Sequence, residues 1–244
     1  VKFGPLTPSR RSDPELMDAP GLATEEVAGA YRALRRVNWQ LGNSWALGRE
    51  LRRYLAEERP GRVRVLDVGS GSGDLLAEML TRLGRQAVEA TGVALDRDPT
   101  AALLARDSGA IVVRADALRL PFGDGSFELA TAVKFAHHFE GRALATLVSE
   151  LARVATRRVV VLDIRRHWAA YWGFVAWSHL FTRNRLVRHD GPLSVLRGFT
   201  AAELRDLGER VGRMEWTVRR YPGFQLAMVG RRSAGAQTLG GRRA

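Results

Sequence analysis

One stretch constrains this chain more than any other: Arg62-Val-Arg-Val-Leu-Asp-Val-Gly-Ser-Gly-Ser-Gly-Asp-Leu75. Val63, Val65, Leu66 and Val68 read as a buried strand, and three glycines follow at Gly69, Gly71 and Gly73. A helix then begins at Asp74, with Leu75, Leu76, Met79, Leu80 and Leu83 as its apolar stripe. Strand, glycine turn and helix N-terminus together form a nucleotide cradle, because glycines let backbone N–H groups approach a ligand that any Cβ would hold off.

The spacing separates two ligand classes. A dinucleotide cradle reads G-x-G-x-x-G and sets a pyrophosphate on the helix N-terminus. Here it reads G-x-G-x-G, with Asp67 two residues before the first glycine and Asp74 at the mouth of the helix. Both carboxylates would repel a phosphate. Asp67 suits an ammonium group, as carried by S-adenosyl-L-methionine (SAM), which has an α-amino group, a sulfonium and no phosphate.

The flanking sequence predicts an α/β fold, a doubly wound and mostly parallel seven-stranded sheet with N-terminal helices and a helical insertion after strand five. Residues 1–22 read as an extended arm and residues 23–60 as a helical lid, with Thr24 as an N-cap and Pro60-Gly61 as a stop. The cofactor domain spans 61–230, with the insertion at 165–198. Further strands are predicted at Val88 to Leu95, Ile111 to Val113, Phe127 to Val133 and Val159 to Ile164, with a helix over Arg142–Thr156. Thr200-Ala-Ala-Glu203 is a capping box that starts a helix through Val211. Trp216 to Arg219 and Phe224 to Val229 close the sheet as a hairpin, and residues 231–244 read as a disordered basic tail.

The net charge of +12 is carried almost wholly by arginine, Lys2 and Lys134 being the only lysines, and reads as a solvated basic surface. Cysteine is absent, which removes disulfides, thiolate–zinc sites and cysteine nucleophiles and fits a cytoplasmic setting. No metal is expected. Val1 to Pro20 shows no apolar signal region.

Four motifs, Val65-Leu-Asp-Val-Gly-Ser-Gly-Ser-Gly73, Gly92-Val-Ala-Leu-Asp96, Ala115-Asp-Ala117 and Asp124-Gly-Ser-Phe-Glu-Leu-Ala130, follow one another in the order found in class I SAM-dependent methyltransferases. Over about residues 45–230 the chain resembles that family, most of all its small-molecule members of the ubiquinone/menaquinone-biosynthesis type. The resemblance implies that SAM is the cofactor and S-adenosyl-L-homocysteine (SAH) the product. It implies that the Gly69, Ser70, Gly71 and Gly73 turn cradles the methionine portion, with Asp67 near its amino group. Asp96 would bind both ribose hydroxyls and Arg97 would stack beside the adenine. Asp116 would take the adenine amino hydrogen, and the Ala117 N–H would meet the ring. Lys134 and Phe135 would close the pocket near the sulfonium.

SAM arrives activated, so the protein has to align the acceptor and unload a proton from it. His137 and His138 follow strand four, at the sheet edge where ligands bind, and alternation predicts that one of them, favoured as His138, faces the pocket. His189 and Asp190 form a second candidate acid–base pair in a predicted polar loop, Arg188 to Ser194, where Arg188 and Arg197 are candidates for the acceptor's oxygen atoms. The aromatic run His167 to Phe181 reads as a lid over a lipophilic acceptor, with Trp168 and Trp172 as contacts. A packing helix, a homodimer contact and a helix resting on a membrane surface stay open for the same run. The (D/N/S)-P-P-(Y/F) signature of base-amine methylation is absent after strand four, where the chain reads Ala132-Val-Lys-Phe-Ala136, which argues against nucleic acid as partner. The leading expectation is methyl transfer to a small aromatic or lipophilic acceptor, favouring oxygen. C-methylation of a quinol ring and a non-catalytic SAM-binding assembly or regulatory module are the alternatives.

Overall fold

The structure, a computed structural model, describes residues 6–19 and 21–232. Helices α1 (Thr24–Gln40) and α2 (Asn43–Glu58) precede the alternating run of β1 (Arg62–Val68), α3 (Asp74–Gly84), β2 (Glu89–Asp96), α4 (Pro99–Leu104), β3 (Ile111–Arg114) and β4 (Phe127–Val133). Helix α5 (Gly141–Val154) leads into β5 (Ala155–Ile164), and the insertion folds as α6 (Trp168–Phe181) and α7 (Arg185–Arg197). Helix α8 (Ala201–Val211) and the hairpin of β6 (Glu215–Tyr221) and β7 (Gln225–Arg231) close the domain.

The sheet runs β3-β2-β1-β4-β5-β7-β6, with β7 the antiparallel strand against both β5 and β6. The order reverses between β1 and β4, so the carboxyl ends of those strands open a crevice at the switch point, where ligands bind in such sheets. Both faces are covered. Leu147, Leu151, Leu204 and Leu207 from α5 and α8 pack on one, and Leu47, Leu51, Leu76, Met79 and Leu83 from α2 and α3 pack on the other. A third cluster, Ala30, Val37, Leu186 and Val187, joins α1 to α7 and takes in Leu16 and Met17. Helical cap, insertion and arm thus form one layer above the crevice.

Several expectations need correction. Helix α1 has Ala23 at its N-cap position and no side-chain cap, so Thr24 is helical. Strand β5 begins at Ala155, four residues early, because Ala155 still pairs with Phe127 of β4. The segment read as a polar loop over 188–194 lies inside α7, despite Gly191-Pro192. Gly191 is needed there for space, since a Cβ would meet the Phe174 ring at 1.9 Å. The arm is extended but carries a 3₁₀ turn, Leu16–Asp18, strapped to the body. Arg231 ends β7, and Arg232 donates to the Ala152 and Ala155 carbonyls, so the predicted tail starts later than expected; residues 233–244 lie outside the described residues.

Candidate active site

The cofactor end is built at the ends of β1, β2 and β4. Gly69 and Ser70 both donate to the Leu95 carbonyl, at 2.8 and 3.1 Å, which ties the glycine turn to β2. Gly69 and Gly71 have φ of 68° and 56°, a region costly for any residue with a Cβ. At Gly69 a Cβ would fall 2.1 Å from the Phe135 ring, and at Gly71 2.9 Å from Tyr31 of α1. Asp67, 2% exposed, accepts from Thr131 Oγ1 at 2.6 Å, and burial pushes its carboxyl up to about 6. Asp96 accepts from the Gly71 N–H through Oδ2 and the Asp98 N–H through Oδ1, both at 3.0 Å. Its carboxylate is therefore aimed before any ligand arrives, and each oxygen keeps a second lone pair. Asp116 accepts from the Leu118 N–H at 2.9 Å in an Asx turn, with buried Ala117 beside it. Lys134 sits at φ 56°, donates to Gln225 Oε1, and is pushed down to about 8 by burial.

The other end of the crevice is assembled from distant segments. A 3₁₀ turn after β4 carries His137 and His138, whose ring centroids lie 4.5 Å apart. The His137 N–H donates to Asp163 Oδ2 at 3.0 Å, and its Nδ1 meets Asp163 Oδ1 at 2.8 Å. Its Nε2 points to Glu15 Oε1 at 3.5 Å. His138 Nδ1 meets Asp18 Oδ2 at 3.1 Å, and its Nε2 lies 3.9 Å from Glu15 Oε2. Burial opposes charge on His137, but Asp163 and Glu15 outweigh it and raise its affinity for a proton. The same imidazoles, with Ser194, hold the Glu15 carboxyl down against its own burial.

One cavity of about 1240 Å³ joins the two ends. It runs from Asp96, Asp116 and Gly71 past Lys134 and Phe135 to His137, His138 and Glu15, under Phe174 and Trp177. Sites for single ligands usually occupy ~300–1,000 Å³, so this volume has room for a cofactor and an acceptor together.

Asp67, Gly69, Ser70, Gly71, Asp96, Arg97, Asp116, Ala117, Lys134, Phe135, His137 and His138 all line the cavity. Both histidines do so, against the expectation of one, because a 3₁₀ turn does not alternate its side chains as a strand does. Seven further candidates are elsewhere. Gly73 caps α3 at φ 75° and packs on Ser108. His189 does pair with Asp190 at 2.8 Å, but the ring is half exposed and Asp190 is occupied by the Leu16 and Met17 N–H groups at 2.8 and 2.9 Å. Arg188 caps the end of α6 through the Ser178, His179 and Thr182 carbonyls. Arg197, 6% exposed, braces the carbonyls of His137, His138 and Asp13. Trp168 and Trp172 point outward, 40% and 62% exposed, while Ala169, Ala170, Gly173, Phe174 and Trp177 of the same helix face the cavity. Helix α6 is apolar all round, so periodicity gave no means of choosing its inner face.

Sequence reasoning missed Glu15, Asp18, Tyr31, Asp163 and Gln225. Asp163 had a signal, an acid breaking the apolar run of strand five; Glu15 and Asp18 had none.

This is the fold of class I SAM-dependent methyltransferases. Residues 65–158 match the family model described as a methyltransferase domain, so the chain contains such a domain, with SAM as its cofactor. Among solved structures, magnesium protoporphyrin IX methyltransferase from Synechocystis PCC 6803 with bound SAH is similar at 16% identity and a TM-score of 0.55, covering 79% of this chain and 84% of its own. Human N-acetylserotonin methyltransferase in complex with SAM is similar at 14% identity and 0.59, covering 86% and 57%. A putative SAM-dependent methyltransferase from Methanococcus maripaludis gives 10% and 0.58, covering 88% and 97%. No curated protein matches the chain in sequence. No helix of the described residues is long and apolar enough to cross a membrane.

Proposed function

We propose that the chain methylates a hydroxyl on a small, aromatic or lipophilic acceptor. The observation that carries this reading is the continuity of the cavity between Asp96 and the cluster of Glu15, His137 and His138. SAM supplies a methyl group already activated by its sulfonium. Asp67 would pair with its ammonium, the turn at Gly69 to Gly71 would hold the methionine portion, Asp96 would fix the ribose, and Asp116 with Ala117 would seat the adenine. Tyr31 packs over Gly71 and would help cover the cofactor. Lys134, half neutral near pH 8 and tethered to Gln225, adds less charge beside a sulfonium than a free lysine would.

The acceptor would lie under Phe174 and Trp177, with its hydroxyl at the Glu15–His137–His138 cluster. A phenol near ~10 is a poor nucleophile at neutral pH until its proton is removed or its anion stabilised, and this cluster is where the cavity concentrates groups able to do so. Asp163 and Asp18 hold the two rings in orientation, and Arg197 braces the backbone beneath them.

The test is incubation with SAM and a panel of phenols and quinols, reading SAH release and the position of the transferred methyl group. Acceptor-dependent SAH with the label on oxygen supports the reading. Label on ring carbon replaces it with quinol C-methylation, and SAM binding without turnover on any acceptor favours a binding module.

A further inference from the structure

Glu15, His137 and His138 bring three ligand atoms within 4.8 Å of one another at the acceptor end of the cavity. Their separations are informative. Nε2 of His137 lies 3.5 Å from Glu15 Oε1, and Nε2 of His138 lies 3.9 Å from Oε2. Good N–H···O bonds are ~2.7–3.2 Å, so both gaps are long for direct pairing. Around a tetrahedral ion with bonds of about 2.1 Å, neighbouring ligand atoms stand about 3.4 Å apart. These atoms are spaced to share an ion.

The outer partners point the same way. Each histidine uses its Nδ1 on a carboxylate, His137 on Asp163 at 2.8 Å and His138 on Asp18 at 3.1 Å. That leaves both Nε2 atoms turned toward Glu15, and carboxylate-held imidazoles are the usual surroundings of a metal-ligating histidine. Three carboxylates, Glu15, Asp18 and Asp163, surround the two imidazoles, a setting that favours a cation. Arg197 adds one positive charge beside it, with Nη1 4.0 Å from Glu15 Oε1, while its N–H groups donate to the carbonyls of His137, His138 and Asp13. Ser194 Oγ donates to Glu15 Oε1 at 2.8 Å and fixes the carboxylate.

We infer that Glu15, His137 and His138 bind a divalent transition cation of the zinc type, which leaves at least one coordination position open to the cavity for the acceptor's oxygen. Two histidines and a glutamate with an open position suit a Lewis-acid site. This deepens the proposed function and rests on it for the acceptor. An acceptor hydroxyl on the cation loses its proton to water in the cavity more readily, as bound water does when its pKa falls to ~7. The oxygen then bonds to the methyl carbon as the carbon–sulfur bond breaks, with the electron pair passing to sulfur. The cation is neither oxidised nor reduced.

The test is titration of chelator-stripped, full-length protein with Co²⁺, read by its visible ligand-field bands, followed by displacement with Zn²⁺. One equivalent per chain is expected. Asp18→Asn should weaken binding about 10- to 100-fold, and His138→Gln and Glu15→Gln should weaken it further, whereas His189→Gln should bind as the wild type does. SAH binding by calorimetry reports whether each variant is folded, and Asp18→Asn serves if His138→Gln is not. No stoichiometric uptake, unchanged uptake in all three cluster variants, or equal loss in His189→Gln overturns the proposal. Full acceptor turnover by the stripped protein also overturns it and leaves the proposed function standing. Stoichiometric binding without methylation of any phenol keeps the metal site and removes the acceptor reading.

Discussion

The two ends of the cavity are built differently. At the cofactor end the partners are near one another in the chain: the Gly71 N–H and Asp96 are 25 residues apart, one in the turn after β1 and the other at the end of the adjacent parallel strand β2. At the acceptor end, His138 and Asp18 are 120 residues apart, and Ser194 and Glu15 are 179 apart. The first end is set by backbone geometry within βαβ units. The second exists only when the arm, the turn after β4 and the insertion have all docked. The two ends share one cavity, yet the first is held by neighbouring strands and the second by segments far apart in the chain.

Variants should divide along that line. The largest effect is expected from Glu15→Gln, which should lower kcat at saturating SAM by about 10²- to 10⁴-fold while leaving SAH affinity within about twofold; a parallel loss of SAH binding would erase the distinction. Asp96→Ala should do the reverse. Loss of two hydrogen bonds to a charged carboxylate, at about 1.5–3 kcal/mol each, should weaken SAH binding at least 100-fold by calorimetry, with kcat at saturation little changed.

A pH series tests Asp67 next. Its carboxyl is raised to about 6 by burial, and its ionised form is the one that pairs with an ammonium. SAM affinity should therefore be flat above pH ~6 and fall up to tenfold per unit below it. Asp67→Asn should bind weakly with no such slope, and a slope that survives this change would assign it to another group.

Asp190→Ala should free the Leu16 and Met17 N–H groups and loosen the strap that carries Glu15 and Asp18. The expected result is faster proteolysis within residues 6–19 and a several-fold fall in kcat, with SAH affinity kept. The smallest effect is expected from Trp172→Ala, less than twofold on turnover of a water-soluble acceptor, because the ring is 62% exposed and faces away from the cavity.

Much of the cofactor end was legible in the residues. Asp67, Asp96, Asp116 and the glycines fall in short motifs whose spacing reports strand ends and turns directly, and the structure places all but Gly73 on the cavity. The acceptor end was legible only in part. His137 and His138 stood out because they follow a strand at the ligand-binding edge. Asp190 and Arg197 also stood out, but their polar groups are consumed in holding the arm and the turn. A conspicuous charge in a sequence reports that something needs it, without saying whether that is a ligand or a neighbouring loop.

The sequence by itself determined the strand–turn–helix core, the mostly parallel character of the sheet and the character of its cofactor, because these depend on local periodicity, on glycine at positive φ and on acids at strand ends. Only the tertiary structure decided which face of α6 lines the cavity, that Gly191 serves helix packing, and that Glu15 and Asp18 meet the histidines. Those choices depend on which surfaces bury one another across more than a hundred residues, and no local spacing encodes that.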